Sequence, residues 1–578
     1  MNENNRMVVR AALAVLVPVL WGLPANPPRA NLTPKEDQFT VRVPMRDGVR
    51  LLTRVLKLSG SPRQPTILLR TPYQNADEML RAYRFYITRG YVVVLQNVRG
   101  RNGSEGSFRP ILQEVNDGSD TLNWISRQNW SNGKVAMAGG SYLGMAQWRA
   151  ALSGNPHLKA IFPVVSGSDE YEDRFYSRGG AMKLGHRLLW MAENLRMPSV
   201  PKLLFDEFTR HLPLRTSDAF STGQKIEFWQ EALNHPAYDN YWKNFSVRAK
   251  AEQIEVPAFI VGGWYDNYAQ GDLEGFRALY EHNPVNRILI GPWPHDMSVK
   301  FPGIDFGPDS GAPVRRFQLQ WFEYWLKGQQ PALEVPFSPV RIFVMGENRW
   351  RDEKEWPLAR TRYTPFYFAG KGNANTSSGD GLLVSDPRRT DLPDDFKYDP
   401  KTPVPTLGGA VCCNPKIFNW GPLDQRTAEA RQDVLVFTSE VLKKDLEVTG
   451  PVRVTVFAST TVPDTDFTAK LVDVFPDGTA RLLCDGIQRL RYRNSLQKAE
   501  LARPGEIYTV SIDAGVTSNV FKTGHRIRID VSSSNFPRFD RNPNTGRPIA
   551  DETDLRVANQ TIYHGRQYPS HVLLPVIP

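Results

Sequence analysis

Residues 133 to 154, GKVAMAGGSYLGMAQWRAALSG, constrain the fold of this chain more than any other stretch. Residues 134 to 138 form a short, mostly apolar run that predicts a buried strand, and the two glycines that follow break it. An apolar pattern with helical spacing then runs up to Gly154, where a left-handed helix stop is expected. Strand, sharp turn, serine and helix in this order predict a nucleophile elbow, with Ser141 over the edge of a sheet.

The elbow departs from the usual G-x-S-x-G pattern. Leu143 stands two residues after Ser141, and the glycine follows one position later, at Gly144. Ser141 could instead only cap the N-terminus of the helix, a role that serine often takes. This stretch alone leaves both interpretations open.

Length and composition set the class of protein. A chain of 578 residues predicts roughly three or four folded units. The formal charge of +10 is spread along the chain among acidic residues, without a basic block, so nucleic acid binding is not expected. Zinc-type spacing, a P-loop and a dinucleotide fingerprint are all missing from the sequence, and we therefore expect no metal and no cofactor.

Residues 1 to 30 have the layout of a signal peptide and linker. Arg6 and Arg10 precede an apolar run from 11 to 21, and a segment rich in small residues and proline follows, with Ala25 as a candidate last residue before cleavage. The run is short for a membrane span, so we expect export to the periplasm or the extracellular space, without stable membrane insertion after processing. A structureless tail or an uncleaved anchor is the alternative.

Cys412, Cys413 and Cys484 are too few for a disulfide framework in a chain of this size. One bridge, for example from Cys412 or Cys413 to Cys484, is compatible with export. A buried free thiol is expected for a cysteine that stays unpaired.

The order of apolar runs and helical patterns divides the chain. Strands and helices alternate over 31–168 and 256–335, which predicts the two parts of an α/β domain with a parallel sheet. Residues 169–255 have helical patterns only and predict an inserted cap. Over 336–578, short strand-like runs beginning with VRIFVM predict an all-β sandwich or jelly roll.

Three more polar residues follow predicted strands at the same sheet edge as Ser141. Tyr73 follows the strand 66–69, Asp266 follows PAFIV, and His295 follows RILI. Ligands of an open α/β sheet bind beyond the carboxyl ends of its strands. The order Ser141, Asp266, His295 is also that of an α/β-hydrolase triad.

Each residue type suits one part of acyl transfer. His295 would take the proton of the Ser141 hydroxyl, and Asp266 would orient the imidazole and stabilise its cation. The backbone N–H of Tyr142 and the hydroxyl of Tyr73 would form the oxyanion hole. Taken singly, the histidine could be a surface or core residue, the aspartate a turn former and Tyr73 a packing aromatic; four matches in the right order make these independent alternatives less attractive.

Two other aspartates are weaker candidates to orient His295. Asp296 is its neighbour on one loop, where adjacent side chains rarely face each other. Asp272 lies inside a predicted helix.

With these residues in hand, the sequence resembles the cocaine esterase and X-Pro dipeptidyl-peptidase family of serine hydrolases. The matching motifs are RTPY, VRGRNGSEG, GGSYLG, GGWYD, GPWPH and FKTGHRIRIDVSSSNFPRFDRN. The resemblance implies an α/β-hydrolase domain, an inserted helical cap and a C-terminal jelly roll. It also implies Ser141 as nucleophile, His295 as base, Asp266 as orienting acid, and Tyr73 with the Tyr142 amide as the oxyanion hole.

One departure bears on the substrate. α-Amino-acid ester hydrolases of this family have a Glu-Asp pair shortly after the triad aspartate that grips the substrate ammonium, whereas residues 267 to 269 here are Asn-Tyr-Ala. This departure favours a simpler acyl ester. Four cap acids could still bind an amine, or could be solvated acids at a helix start; they are Asp169, Glu170, Glu172 and Asp173.

We therefore expect an exported serine hydrolase that cleaves small carboxylic esters, or amides, through an acyl-enzyme. An X-Pro dipeptidyl aminopeptidase or an acylase of the same family is the first alternative. A non-catalytic protein whose jelly roll binds a carbohydrate or a surface ligand is the second. The sequence leaves a homo-oligomer open.

Overall fold

A computed structural model describes residues 35–329, 338–389 and 391–578. The predicted signal peptide and linker therefore lie outside the described residues. Within those three ranges, every helix is too short or too polar to cross a membrane.

The first sheet is built from strands in the N-terminal three fifths of the chain. In chain order the strands of this part are β1 Glu36–Pro44, β2 Arg50–Leu58, β3 Gln64–Thr71, β4 Val92–Asn97, β5 Ser131–Gly140, β6 Leu158–Val164, β7 Phe259–Gly263, β8 Arg287–Gly291, β9 Lys300–Phe301, β10 Ile304–Asp305, β11 Val340–Val344 and β12 Arg349–Glu353. In the described residues the sheet order is β1-β2-β4-β3-β5-β6-β7-β8-β11-β12. The strands from β4 to β11 run parallel, and antiparallel strands cover the two edges.

Helices cover this sheet and form the segment inserted after β6. They are α1 Ala76–Tyr83, α2 Glu114–Ser126, α3 Tyr142–Leu152, α4 Leu184–Leu195, α5 Lys202–Arg210, α6 Ser217–Thr222, α7 Glu227–Asn234, α8 Asn240–Lys243, α9 Ala269–His282 and α10 Val314–Lys327, whereas the short helix α11 Arg426–Glu429 belongs to the C-terminal part. The named elements between 170 and 253 are all helical, and aromatic rings fill their core. Tyr171 and Tyr176, for example, stack with ring centroids 4.6 Å apart, and Trp242 packs edge-on against Tyr171.

The predicted place of the VRIFVM run is wrong. Its strand β11 pairs in parallel with β8, from Val340 opposite Ile288 to Ile342 opposite Ile290, so it belongs to the α/β sheet. The helix α10 is the crossover between these two parallel strands. An apolar run predicts a buried strand but does not indicate which sheet the strand joins. For this reason the sequence pattern assigned this strand to the wrong domain.

The C-terminal part is all-β. Its strands are β13 Arg362–Ala369, β14 Leu382–Val384, β15 Asp394–Tyr398, β16 Leu435–Thr438, β17 Leu446–Thr460, β18 Asp466–Val474, β19 Ala480–Arg489, β20 Tyr508–Phe521, β21 Arg526–Ser532, β22 Ala558–Tyr563 and β23 His571–Ile577. The two parts meet where Met345, just past β11, exchanges backbone hydrogen bonds with Ser518 and Val520 of β20 at 3.0 and 2.8 Å. The predicted class, an α/β-hydrolase domain with a C-terminal all-β domain, is confirmed.

The disulfide of this protein joins two adjacent cysteines. Cys412 and Cys413 form a disulfide with each other, so a bridge from either of them to Cys484 is wrong. Cys484 lies on β19 as a buried free thiol. Its burial raises the pKa of the thiol well above the usual value.

Candidate active site

Ser141 occupies a sharp turn between β5 and α3. Its backbone has φ 56° and ψ −123°, and its hydroxyl makes no capping hydrogen bond to the helix. A Cβ added at Gly139 would lie 2.6 Å from Leu143 Cβ, and one added at Gly144 would lie 2.6 Å from Ser166 Cβ. The close approach of the helix to the end of β6 thus requires glycine at position 144. The sharp turn and the missing capping bond of Ser141 favour the elbow over a simple N-cap.

The structure joins Asp266 to His295. Asp266 Oδ2 lies 2.6 Å from His295 Nδ1, and both side chains are buried. The other carboxylate oxygen accepts a hydrogen bond of 2.9 Å from the backbone N–H of Tyr268. With both oxygens engaged, the carboxylate is held in one orientation and fixes the plane of the imidazole ring.

Glycines bring the two loops that carry this pair together. The backbone N–H of Trp264 donates to Gly291 O at 2.9 Å, and that of Tyr265 donates to Trp293 O at 3.0 Å. A Cβ at Gly263 would lie 2.2 Å from Trp293 O, so a side chain at this position would push the loops apart. The GGWYD and GPWPH motifs therefore work as one structural unit at the ends of β7 and β8.

Tyr73 lies beside the serine. Its hydroxyl donates to Ser141 Oγ over 3.4 Å, and its ring is buried. Asn102 holds its loop from behind, because Asn102 Nδ2 donates to the carbonyls of Pro72 and Tyr73 at 3.0 and 2.7 Å. Arg101 Nε adds a bond of 3.1 Å to the Pro72 carbonyl. Neither Arg101 nor Asn102 was predicted from the sequence to have a role in the site, although both lie in the VRGRNGSEG motif.

Ser141 and His295 line one cavity of about 230 Å³. The described residues contain no hydrogen bond between the serine hydroxyl and the imidazole, and catalytic hydrogen bonds are often long before substrate binds. Most of the other lining side chains are apolar or aromatic, and they include Met79, Tyr83, Phe85, Leu143, Val165, Met297 and Val314. The serine therefore opens on a space suited to an apolar group.

The two alternative aspartates face other groups. Asp296 Oδ1 accepts a hydrogen bond of 2.9 Å from the backbone N–H of Ser298. Asp272 is buried, and its Oδ1 accepts a bond of 2.8 Å from the N–H of Gly167. Burial, together with the nearby Asp266 carboxylate, raises the pKa of Asp272 well above its usual value. Neither aspartate replaces Asp266 as the partner of His295.

The four acids of the cap segment are paired within the protein, so the interpretation of them as solvated acids at a helix start is wrong. Glu170 is buried, with its oxygens 3.3 Å from Arg149 Nη2 and 3.0 Å from Arg174 Nη1. Asp173 is 3.1 Å from Arg178, and Glu172 pairs with the same arginine at 3.4 Å.

Asp169 instead accepts the hydroxyl of Tyr238 at 2.7 Å and the backbone N–H of Tyr171 at 2.9 Å. These four carboxylates are thus occupied within the protein. They are also not among the residues that line the Ser141 cavity.

Tyr142 is the first residue of α3, and the first N–H groups of a helix have no acceptor within it. Its side chain points away into the core, where its hydroxyl donates to Glu114 at 3.1 Å and accepts from the N–H of Ile111 at 3.1 Å. Burial raises the pKa of this phenol well above its usual value. The side chain anchors the helix start, while the amide is the group available near Ser141.

Family models match both parts of the chain. The model of the X-Pro dipeptidyl-peptidase (S15 family) matches residues 47–296. The model of the X-Pro dipeptidyl-peptidase C-terminal non-catalytic domain matches residues 336–573. The second match begins before β11, which the structure places in the first sheet.

Full-length similarities agree with these matches. Cocaine esterase of Rhodococcus sp. (strain MB1 Bresler) is 40% identical over 566 residues, covering 93% of this chain and 98% of that protein. The crystal structure of an aminopeptidase from a marine sediment Thaumarchaeota archaeon superposes with a TM-score of 0.84 at 27% identity, over 96% of this chain and 99% of the other. An α-amino acid ester hydrolase superposes with a TM-score of 0.81 at 26% identity, over 97% and 100% of the two chains.

Proposed function

This chain belongs to the family of the X-Pro dipeptidyl-peptidases (S15 family) and cocaine esterase and is a hydrolase of small-molecule esters or peptides, and we propose that it cleaves carboxylic esters through an acyl-enzyme on Ser141. The observation that supports this most directly is the cavity that Ser141 shares with His295, whose ring is bonded to Asp266. The family membership argues against a non-catalytic carbohydrate-binding protein.

In the proposed reaction, Ser141 Oγ attacks the ester carbonyl as His295 Nε2 takes the hydroxyl proton. The imidazolium then gives this proton to the leaving alcohol, and water repeats the sequence in reverse to release the acid. Asp266 keeps the Nδ1–H tautomer of His295 and stabilises the imidazolium. The 2.6 Å contact between Nδ1 and the carboxylate supports this role.

The oxyanion would form between Tyr73 and the start of α3. The Tyr73 hydroxyl and the Tyr142 N–H would each donate a hydrogen bond to the carbonyl oxygen as it becomes negative. The 3.4 Å contact of the Tyr73 hydroxyl with Ser141 Oγ supports this assignment. A neutral phenol supplies a donor without adding a charge to the site.

The apolar cavity favours a neutral acyl group or leaving group. The four cap acids already have partners and do not line this cavity, so none of them is expected to bind a substrate ammonium. An X-Pro aminopeptidase or an acylase stays the second candidate, because the archaeal aminopeptidase shares the whole fold. Both candidates use the same chemistry, so substrate preference distinguishes them.

We also propose the domain roles expected from the sequence. The catalytic groups would lie in the two parts of the α/β domain, residues 31–168 and 256–335. The helical segment 169–255 would cap the site. The part from 336 onward would close the site from the other side, except for β11 and β12, which belong to the first sheet. Trp420 and Cys413 support the last point, since both line the Ser141 cavity.

We further propose export, on the composition of residues 1–30 alone. Expression of the full chain should give a mature protein in the periplasm or the medium, with an N-terminus near residue 26. Recovery of the full-length chain in the cytoplasm would contradict export.

Labelling with a fluorophosphonate tests the nucleophile. We expect one label per chain, at Ser141, and no label in Ser141→Ala. The exposed Ser107→Ala is the matched control and should label fully. Label retained in Ser141→Ala would contradict the proposal.

A substrate panel tests the ester preference. Nitrophenyl esters of increasing acyl length are compared with Gly-Pro and Ala-Pro anilides. We expect higher kcat/KM for the esters, whereas faster cleavage of the anilides would identify an X-Pro peptidase.

A further inference from the structure

Two adjacent cysteines form part of the wall of the active-site cavity. Cys412 and Cys413 lie in the loop between β15 and α11 and are bonded to each other. Cys413 lines the same cavity as Ser141, while Cys412 is fully buried behind it. The mechanism proposed above uses neither sulfur.

A histidine from the helical segment completes the cluster. His186 lies on α4, and one of its ring nitrogens and the two sulfurs all lie within 4.8 Å of one another. The ring of His186 packs edge-on against Tyr268 at 5.9 Å between centroids, and Tyr268 packs against His295 at 5.7 Å. The cluster is thus one aromatic ring away from the proposed catalytic base.

We propose that Cys412 and Cys413, once reduced, bind one thiophilic divalent cation together with His186, and that the bound ion inhibits hydrolysis at Ser141. Two thiolates and an imidazole are a ligand set that Zn²⁺ and Cd²⁺ prefer, with a fourth position left for solvent. The inhibition rests on the proposed function, whereas the binding of the ion does not.

The disulfide prevents metal binding at this site. While the two sulfurs are bonded to each other, they cannot act as thiolate ligands. A dithiol reductant supplies two electrons and two protons, the S–S bond breaks, and the reductant becomes a disulfide. The cation then displaces the two thiol protons and is bound by two thiolates. A disulfide oxidant would take two electrons from the thiolates and two protons from water, becoming a dithiol, while the S–S bond re-forms and the ion is released.

Arg187 is the cation in direct contact with the His186 ring. Its Nη2 lies 3.0 Å from His186 Nδ1 and 2.5 Å from His186 Nε2, so the metal ion has to displace this guanidinium from the ring nitrogen that it binds. The two thiolate charges then offset both the guanidinium and part of the ion's charge.

Cadmium titration of the full chain tests the binding. The protein is reduced with a dithiol, desalted without oxygen, and titrated with Cd²⁺ while the sulfur-to-cadmium charge-transfer absorption is recorded. We expect saturation at one Cd²⁺ per chain for the reduced protein and no absorption for the oxidised protein. His186→Gln should weaken binding by at least the ~10-fold that even an outer partner of a metal ligand is worth.

Two cysteine variants show which sulfurs are used. Cys413→Ser should lose the charge-transfer absorption. Cys484→Ser removes the one cysteine that is not part of the proposed site and should keep the absorption. Equal absorption in Cys413→Ser and the parent protein would overturn the site, as would a pair that cannot be reduced in the folded protein or a reduced protein without absorption.

Ester hydrolysis, measured in the same samples, tests whether the bound ion inhibits the enzyme. Addition of Cd²⁺ should abolish the rate of the reduced protein only, and a chelator should restore it. Binding with an unchanged rate would overturn the inhibition. If the protein hydrolysed no ester in either redox state, the proposed function would fail while the absorption still reported the metal site.

Discussion

Asn102 Nδ2 donates a hydrogen bond of 2.7 Å to the backbone carbonyl of Tyr73, and this bond fixes the loop that carries the proposed oxyanion donor. Asn102 itself has φ 48°, in the left-handed region that asparagine tolerates better than most residues. The side chain and the backbone conformation of one residue thus serve the same end, which is to hold the Tyr73 hydroxyl over Ser141.

Removal of the Tyr73 hydroxyl should therefore impair catalysis rather than binding. Tyr73→Phe should lower kcat by about 10²–10³, the cost of one oxyanion donor, with little change in KM. Asn102→Gly keeps the left-handed backbone but loses the side-chain bonds, so its kcat should fall less. The exposed Tyr324→Phe is the control. A Tyr73→Phe enzyme with normal kcat would exclude the tyrosine from the oxyanion hole.

Asp266 and Asp272 allow a matched comparison of two buried carboxylates. Asp266→Asn removes the acceptor of the His295 Nδ1–H and should lower kcat by roughly 10⁴. Asp272 does not touch the imidazole, and Asp272→Asn should leave ester hydrolysis unchanged. Steady-state kinetics decide between them, and a large loss in Asp272→Asn with normal kinetics in Asp266→Asn would reverse our assignment.

Asp272 should instead affect the pH dependence of stability. Because its pKa is raised in the native protein, it binds a proton more readily when folded than when unfolded. The free energy of unfolding then falls as the pH rises above the unfolded value of about 3.9. The Asp272→Asn variant has no carboxyl at this position and therefore does not lose stability in this way. The difference in unfolding free energy, variant minus parent protein, should therefore increase from pH 4 towards neutral pH. Urea unfolding at several pH values measures it, and parallel curves would contradict it.

The positions of the four site residues follow from the sequence because of the sheet. Tyr73, Ser141, Asp266 and His295 each come directly after an apolar run, and parallel strands bring their carboxyl ends to one edge. The order of the residues then restricted the chemistry. Contacts between residues far apart in the sequence leave no local pattern from which they could be predicted. The hydrogen bond from Asn102 to the Tyr73 carbonyl is one of these contacts.

The remaining differences have the same physical origin. Glu170 lies in a segment with the composition of a solvated helix start, yet Arg149 and Arg174 approach it from other elements and allow it to be buried. The partner of Cys413 is its own neighbour, whereas the sequence also permitted Cys484. In both cases the outcome depends on which surfaces meet, and local pattern does not contain this information.

The pairing of Glu170 predicts a structural role. Glu170→Gln leaves two buried guanidinium groups without their counter-charge and should lower the free energy of unfolding by about 3–5 kcal/mol. The exposed pair of Glu281 with Arg277, 4.0 Å apart, gives the control, since Glu281→Gln should cost below about 1 kcal/mol. The ratio of kcat/KM for amino-acyl and matched neutral esters should stay unchanged. A selective loss for the amino-acyl ester would show that Glu170 binds a substrate amine.

The apolar wall of the cavity should set the length of acyl chain that the enzyme accepts. Met79 lies on α1 and lines the cavity. A larger side chain there, in Met79→Trp, should reduce kcat/KM for long acyl esters while sparing the acetyl ester, because each excluded methylene is worth about 1–3 kcal/mol. Leu203→Trp, at a position that is 72% exposed, is the control and should leave the chain-length profile unaltered. Rates across a series of nitrophenyl esters measure the effect. An equal loss for all chain lengths would mean that this wall contacts the leaving group or supports the fold, and would assign the acyl chain to another part of the site.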